Sequence, residues 1–166
     1  MTDRVVVQTQ DFDVHDEYEA LRRHNPATGA VVCFSGLVRE FSEQSGVTGM
    51  ILEHYPGMTE KALKKIIAEA RQRWPLQRVT LIHRTGILKT EEQIVFAGVS
   101  SAHRDAAFDA CRFLMDYLKT EAPFWKKELT ETGEVWVEAR QKDQDARQKW
   151  TPENRNPEIK SSDSES

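Results

Sequence analysis

Residues 78–100 read RVTLIHRTGILKTEEQIVFAGVS, and this stretch decides the fold class. Two runs rich in Val, Ile, Leu and Phe, 78–84 and 93–100, are separated by the turn signal Thr85-Gly86 and the acids Glu91-Glu92, which predicts two strands. No helical pattern lies between them. A sheet that gains successive strands in this way excludes a repeating βα unit and predicts an α+β domain.

Working outward, Pro75 stops a helix on the N-terminal side, whose apolar positions Ala62, Leu63, Ile66, Ile67, Ala70 and Trp74 follow the i, i+3, i+4 pattern. Pro56-Gly57 supplies a turn before it, and Thr59 is the expected cap. On the C-terminal side Ser101 is the expected cap of a second helix. Its stripe is Ala107, Ala110, Cys111, Leu114 and Leu118, its first turn holds Asp105, and it ends before Pro123.

Nearer the N-terminus, 4–9 reads as a strand and 14–24 as a helix stopped by Asn25-Pro26. Residues 29–37 and 46–54 read as strands across the polar loop 40–45 and are expected to pair as a long hairpin. A last hairpin is expected from 124–129 and 134–140 around Gly133. Residues 1–150 are expected to form one domain, and the polar tail 151–166 to be disordered. No internal repeat and no glycine-rich phosphate loop is found.

The 166 residues carry Lys+Arg 23 against Asp+Glu 27, a net charge of -4, which argues against an extended nucleic-acid footprint. No run approaches the roughly 18 apolar residues of a membrane span, and Met1-Thr2-Asp3-Arg4 lacks the layout of a secretion signal, so a cytoplasmic location is expected. Cys33 and Cys111 sit in apolar segments without Cys-x-x-Cys spacing and are expected to be reduced core thiols. His15, His24, His54, His83 and His103 match no metal motif, and neither a metal nor a cofactor is expected.

Against this acidic background Lys119 and Lys126-Lys127 bracket Thr120-Glu121-Ala122-Pro123-Phe124-Trp125. Local cations beside aromatics favour a small anionic ligand. His103 and Arg104 fall at the start of the second helix, where free N–H groups and the dipole attract an anion. Lys119 falls in its last turn, where a cation complements the dipole in any case. Lys126 and Lys127 are neighbours on a strand and point to opposite faces, so Lys126 is the one expected to share a site with Lys119. Arg39 follows the strand 29–37, a usual place for a functional loop. Met115, Phe124 and Trp125 either line a flat heterocycle or belong to the core. His103 and Lys119 are 16 positions apart, roughly 24 Å along a helix. If both serve one site, the helix start of one protomer meets the helix end of another.

The segment 52–63, LEHYPGMTEKAL, together with Ser101-Ala102-His103-Arg104, Met115-Asp116-Tyr117-Leu118-Lys119 and Ala122-Pro123-Phe124-Trp125-Lys126, resembles the large, catalytic subunit of molybdopterin synthase. The likeness runs from about Val5 to Trp150. It implies an α/β hammerhead-type fold and a homodimer within a heterotetramer, with one small ubiquitin-like sulfur-carrier subunit at each end. It also implies a sulfurtransferase that converts cyclic pyranopterin monophosphate into molybdopterin, each sulfur coming from a thiocarboxylate at the carrier's C-terminal Gly-Gly. This chain ends Ser162-Asp163-Ser164-Glu165-Ser166, so the expected role is the acceptor. By the same resemblance the substrate-binding residues are Leu37, Val38, Arg39, His103, Arg104, Lys119, Lys126, Lys127 and Glu128, with Arg140 contributed by the neighbouring subunit. Lys119 is assigned the central catalytic role, and Lys126 assists it. The readings weighed against this one are a lysine-dependent Schiff-base enzyme, a nucleic-acid-binding module and a non-catalytic anion- or tail-binding module.

Overall fold

The computed structural model describes residues 3–40, 46–130 and 133–137. Its elements are β1 (Arg4–Gln8), α1 (Val14–Arg22), β2 (Ala30–Leu37), β3 (Val47–His54), α2 (Met58–Arg73), β4 (Val79–Arg84), β5 (Gly86–Lys89), β6 (Gln93–Ser101), α3 (Arg104–Glu121), β7 (Phe124–Thr130) and β8 (Gly133–Val137). The class is α+β, as expected. The tail 151–166 and Arg140 lie outside the described residues.

The deciding stretch forms an antiparallel pair, β4 with β6, in register from Val79 opposite Val99 to His83 opposite Val95. These strands lie at the centre of a four-stranded sheet A in the order β1-β4-β6-β2, with β1 parallel to β4. β4 is buried along its whole length, which is why its sequence shows no clean apolar–polar alternation. α2 and α3 cover one face of sheet A with Leu63, Ile67, Phe113 and Leu114 against Leu81, Ala97 and Val99. α1 covers the other face, where Leu21 and Phe12 meet Ile82 and Phe96. Each fully buried aliphatic or aromatic side chain here contributes about 1.5–3 kcal/mol.

The expected hairpin between 29–37 and 46–54 is corrected. β2 pairs antiparallel with β6 instead, and β3 belongs to a second sheet B, in the order β5-β3-β7-β8. The preference is non-local. β6 is a long, buried apolar strand, and its free side offers β2 a better partner than β3 does. Val38 marks the exit from sheet A. Its N–H donates to the Glu92 carbonyl at 2.9 Å, its carbonyl accepts from Glu91 N–H at 2.8 Å, and its side chain is buried with Met50 and Leu88 of sheet B.

β5 is too short to read as a strand. Gly86, at φ 86°, lets the chain turn sharply out of β4 into it. Both helix caps also differ from expectation. α2 starts on Gly57, whose N–H is accepted by Glu60 Oε2 at 2.7 Å, while Thr59 is buried inside the first turn. α3 starts on His103. Ser101 ends β6, and its hydroxyl accepts from His103 N–H at 3.2 Å and donates to the Pro75 carbonyl at 2.7 Å. Cys111 is a core thiol as expected, pushed up to about 12 by burial. Cys33 is not, because β2 is an edge strand and leaves it exposed.

Arg84 fixes one end of sheet A. Its guanidinium donates to the Thr9 carbonyl from Nη2 at 3.0 Å and to the Gln93 carbonyl from Nη1 at 2.8 Å. That end of the sheet is where sheet B joins.

Candidate active site

The β2–β6 register sets the direction of everything that follows. Ala30 lies opposite Ser101 and Leu37 opposite Gln93, so the start of α3 and the end of β2 are at opposite ends of sheet A. The Ser101 end is tightly closed, since a Cβ on Gly29 would stand 2.3 Å from the Ala102 carbonyl oxygen. α3 then runs back over β6 and β2, with Cys111 Sγ 3.7 Å from the Ala97 carbonyl near the middle of both elements. Its 18 residues span about 27 Å. Its last turn therefore returns to the end of sheet A that carries Leu37, Val38 and Arg39.

The chain leaves α3 through a tight joint, Ala122 and Pro123, in which Phe124 N–H donates to the Ala122 carbonyl at 2.9 Å. β7 then pairs with β3, with Phe124 opposite His54, Lys126 opposite Leu52 and Glu128 opposite Met50. Directly opposed residues share a face of the sheet. Leu52 and Met50 are buried at 6% and 7% exposure, so Lys126 and Glu128 point to the inner face with Phe124. Lys127 points outward, as the strand parity predicts. It is not simply solvated: its Nζ lies 3.6 Å from Glu53 Oε1, beside the tilted ring pair Tyr55–Trp125. Trp125 is thereby on the outer face, away from Lys126.

Of the sequence-predicted residues, Arg39, Lys119, Lys126 and Glu128 are thus gathered at one end of the molecule. Arg39 and Lys119 are exposed, Lys126 is half-buried and Glu128 is buried. Leu37 is exposed at this end, whereas Val38 is buried and both its backbone groups are engaged. His103 and Arg104 lie at the far end of α3, exposed to solvent, with Arg104 Nε 3.9 Å from Asp105 Oδ1. One chain does not bring the two sets together. Among the described residues no cluster of His, Cys, Asp and Glu suits a metal ion, and no helix is long and apolar enough to cross a membrane.

Sequence reasoning missed His83. It is buried on β4, its ring stacked on Phe124 with centroids 3.9 Å apart and planes 23° from parallel. Nδ1 donates to the Arg84 carbonyl at 2.9 Å. Burial holds its pKa down to about 4, with the nearby charge of His54 pushing the same way and the carbonyl partly opposing. The folded state thus resists a proton that the unfolded chain accepts near the ordinary value of 6.5. This contribution to stability is complete above that value and is lost as pH falls towards about 4. Urea unfolding at pH 7 and pH 5 should show a loss of about 2 kcal/mol from this group. His83→Phe should flatten that difference, and an unchanged slope would assign it to other residues.

The fold defines a class: α+β proteins in which a helix end, a strand end and a second sheet converge, here with Arg39, Lys119 and Lys126 on those elements. The MoaE protein family matches residues 7–121. The molybdopterin synthase catalytic subunit of Pseudomonas aeruginosa is 60% identical over 144 residues, 87% of this chain and 96% of that one. Among solved structures, the molybdopterin biosynthesis MoaE protein of Burkholderia ambifaria superposes with a TM-score of 0.77 at 52% identity, covering 90% of this chain and 98% of its own. A chain of the Helicobacter pylori complex of subunits 1 and 2 of molybdopterin-converting factor shares the fold, with a TM-score of 0.66 at 17% identity over 83% of this chain and 91% of its own. The chain belongs to the MoaE family of molybdopterin synthase catalytic subunits, sulfur-transferring enzymes of molybdenum cofactor biosynthesis.

Proposed function

We propose that Arg39, Lys119 and Lys126 of one protomer, with His103 and Arg104 of a second, hold cyclic pyranopterin monophosphate while a small ubiquitin-like carrier presents its thiocarboxylate. The observation that carries this reading is the separation of two cationic sets at the two ends of α3. A two-fold axis near the middle of α3 reverses the helix and sets Arg104 of one chain beside Lys119 of the other. Arg104, Phe108, Cys111, Met115 and Lys119 follow one helix edge at spacings of three and four. Phe108 on this edge is 58% exposed, and Phe34 on the neighbouring edge strand β2 is 42% exposed. A second copy covers both.

In this arrangement Arg39 and Arg104 offer planar donor forks, and the start of α3 offers free N–H groups, to the cyclic phosphate. Lys119 faces the carbonyl of the thiocarboxylate and stabilises the negative charge that develops as sulfur leaves the acyl carbon. Lys126, on the inner face of β7, binds substrate and assists proton transfer as sulfur adds. Glu128 lies two residues further along that face, and Lys127 acts through its backbone or through the Glu53 pair. Arg140 is assigned to the neighbouring subunit's site. The carrier's Gly-Gly tail reaches the lysines from the open end, and the complex works in the cytoplasm as a heterotetramer.

The binding half of this reading is tested by calorimetric titration of the dimer with cyclic pyranopterin monophosphate. Arg39→Ala should weaken binding by about tenfold or more, the loss of a charge-assisted contact. Unchanged affinity would remove Arg39 from the phosphate site.

A further inference from the structure

We propose that His83 is a positioning residue for the two lysines: its ring, stacked on Phe124, fixes the joint that sets Lys119 against Lys126. The inference rests on the reading that these lysines act in sulfur transfer.

Lys119 lies in the last turn of a helix, and Lys126 on the strand that follows. Their relative placement is decided by the path of Ala122, Pro123 and Phe124 between them. Pro123 restricts that path through its ring. From outside the joint, the Thr59 hydroxyl reaches the Pro123 carbonyl at 3.3 Å, from a residue buried in the first turn of α2. Ala122 packs against the core, Phe124 pairs with His54 of β3, and the His83 ring grips the Phe124 ring from sheet A. Phe124 and Lys126 share a face of β7, so a shift of the strand at Phe124 carries to Lys126 two residues on.

His83 is itself firmly held. It is paired with Val7 of β1 on one side and Val95 of β6 on the other, and its Nδ1 is bonded to the Arg84 carbonyl. Arg84 in turn clamps Thr9 and Gln93. The stack therefore joins a rigid central strand of sheet A to the strand of sheet B that carries Lys126. A flat ring is what the contact requires. Phenylalanine at position 83 preserves it, and alanine opens a gap beside Phe124 that a planar side chain had filled.

The test uses the assembled synthase with saturating thiocarboxylated carrier. His83→Ala should slow single-turnover sulfur transfer at saturating pterin by roughly 10- to 100-fold, the usual consequence of misplacing a reacting group. Phe124→Leu should do the same, and the double variant should be no slower than either single one. His83→Phe should recover most of the rate. Independently of activity, the ¹³C ε-methylene signals of Lys119 and Lys126, assigned with Lys→Arg variants, should shift in His83→Ala and return in His83→Phe.

Lysine signals unmoved by His83→Ala, or additive losses in the double variant, would overturn the proposal. If His83→Ala does not fold, Phe124→Leu and His83→Phe decide the matter by the same readouts. A failure of the catalytic reading looks different: Lys119→Ala and Lys126→Ala would then leave transfer intact, while the lysine signals still report whether His83 holds them.

Discussion

Lys119→Ala is expected to lower molybdopterin formation by about 100- to 1000-fold, the cost of removing a donor proposed to stabilise a developing oxyanion. The dimer and its affinity for the carrier should survive. Lys119 is exposed in the last turn of α3, and the packing of that helix rests on Ala110, Phe113, Leu114 and Leu118. Losing the cation from the negative end of the helix dipole costs only about 0.3–1 kcal/mol. A fall in activity far larger than the fall in stability is therefore the diagnostic result. Lys119→Arg should recover only part of the rate, because a planar fork does not reproduce a compact ammonium. Wild-type activity in Lys119→Ala would remove this residue from the mechanism.

The second large effect is complementation. His103→Ala and Lys119→Ala homodimers should each be severely impaired, since every site lacks one member. Mixed and allowed to exchange, half of the dimers are heterodimers, each with one intact and one doubly deficient site, so about a quarter of wild-type activity should return. The rise should follow the kinetics of subunit exchange. No recovery, with heterodimers demonstrated by mass spectrometry, would show that both residues must come from one chain. The roughly 24 Å between them along α3 would then need another explanation.

How far the sequence discloses this arrangement depends on whether the deciding partner is local. β4 and β6 are legible because each is an apolar run bounded by turn residues, and they pair across a short connection. α2 and α3 are legible from their apolar stripes, with errors only at the caps. The partner of β2 is not legible. Local pattern favours β3, and only the assembled sheet shows that β6 has a free apolar side. Cys33 is misplaced for the same reason, since an edge strand and a central strand of like composition read alike.

Strand parity separates Lys126 from Lys127, and helix length separates His103 from Lys119. Both follow from fixed periodicities, and both hold. That Arg39 returns to the Lys119 end depends on the antiparallel register of β2 and β6, which the expected hairpin had obscured. His83 is invisible at this level. Periodicity places it on a buried strand but does not say that its ring meets Phe124 of another sheet.

Incubating this protein with cyclic pyranopterin monophosphate and a thiocarboxylated small subunit, beside a control lacking this protein, is the most direct test. Molybdopterin should form only in the complete mixture, with the carrier's thiocarboxylate consumed in step. A folded dimer that binds the carrier yet yields no product would contradict sulfur transfer at this site.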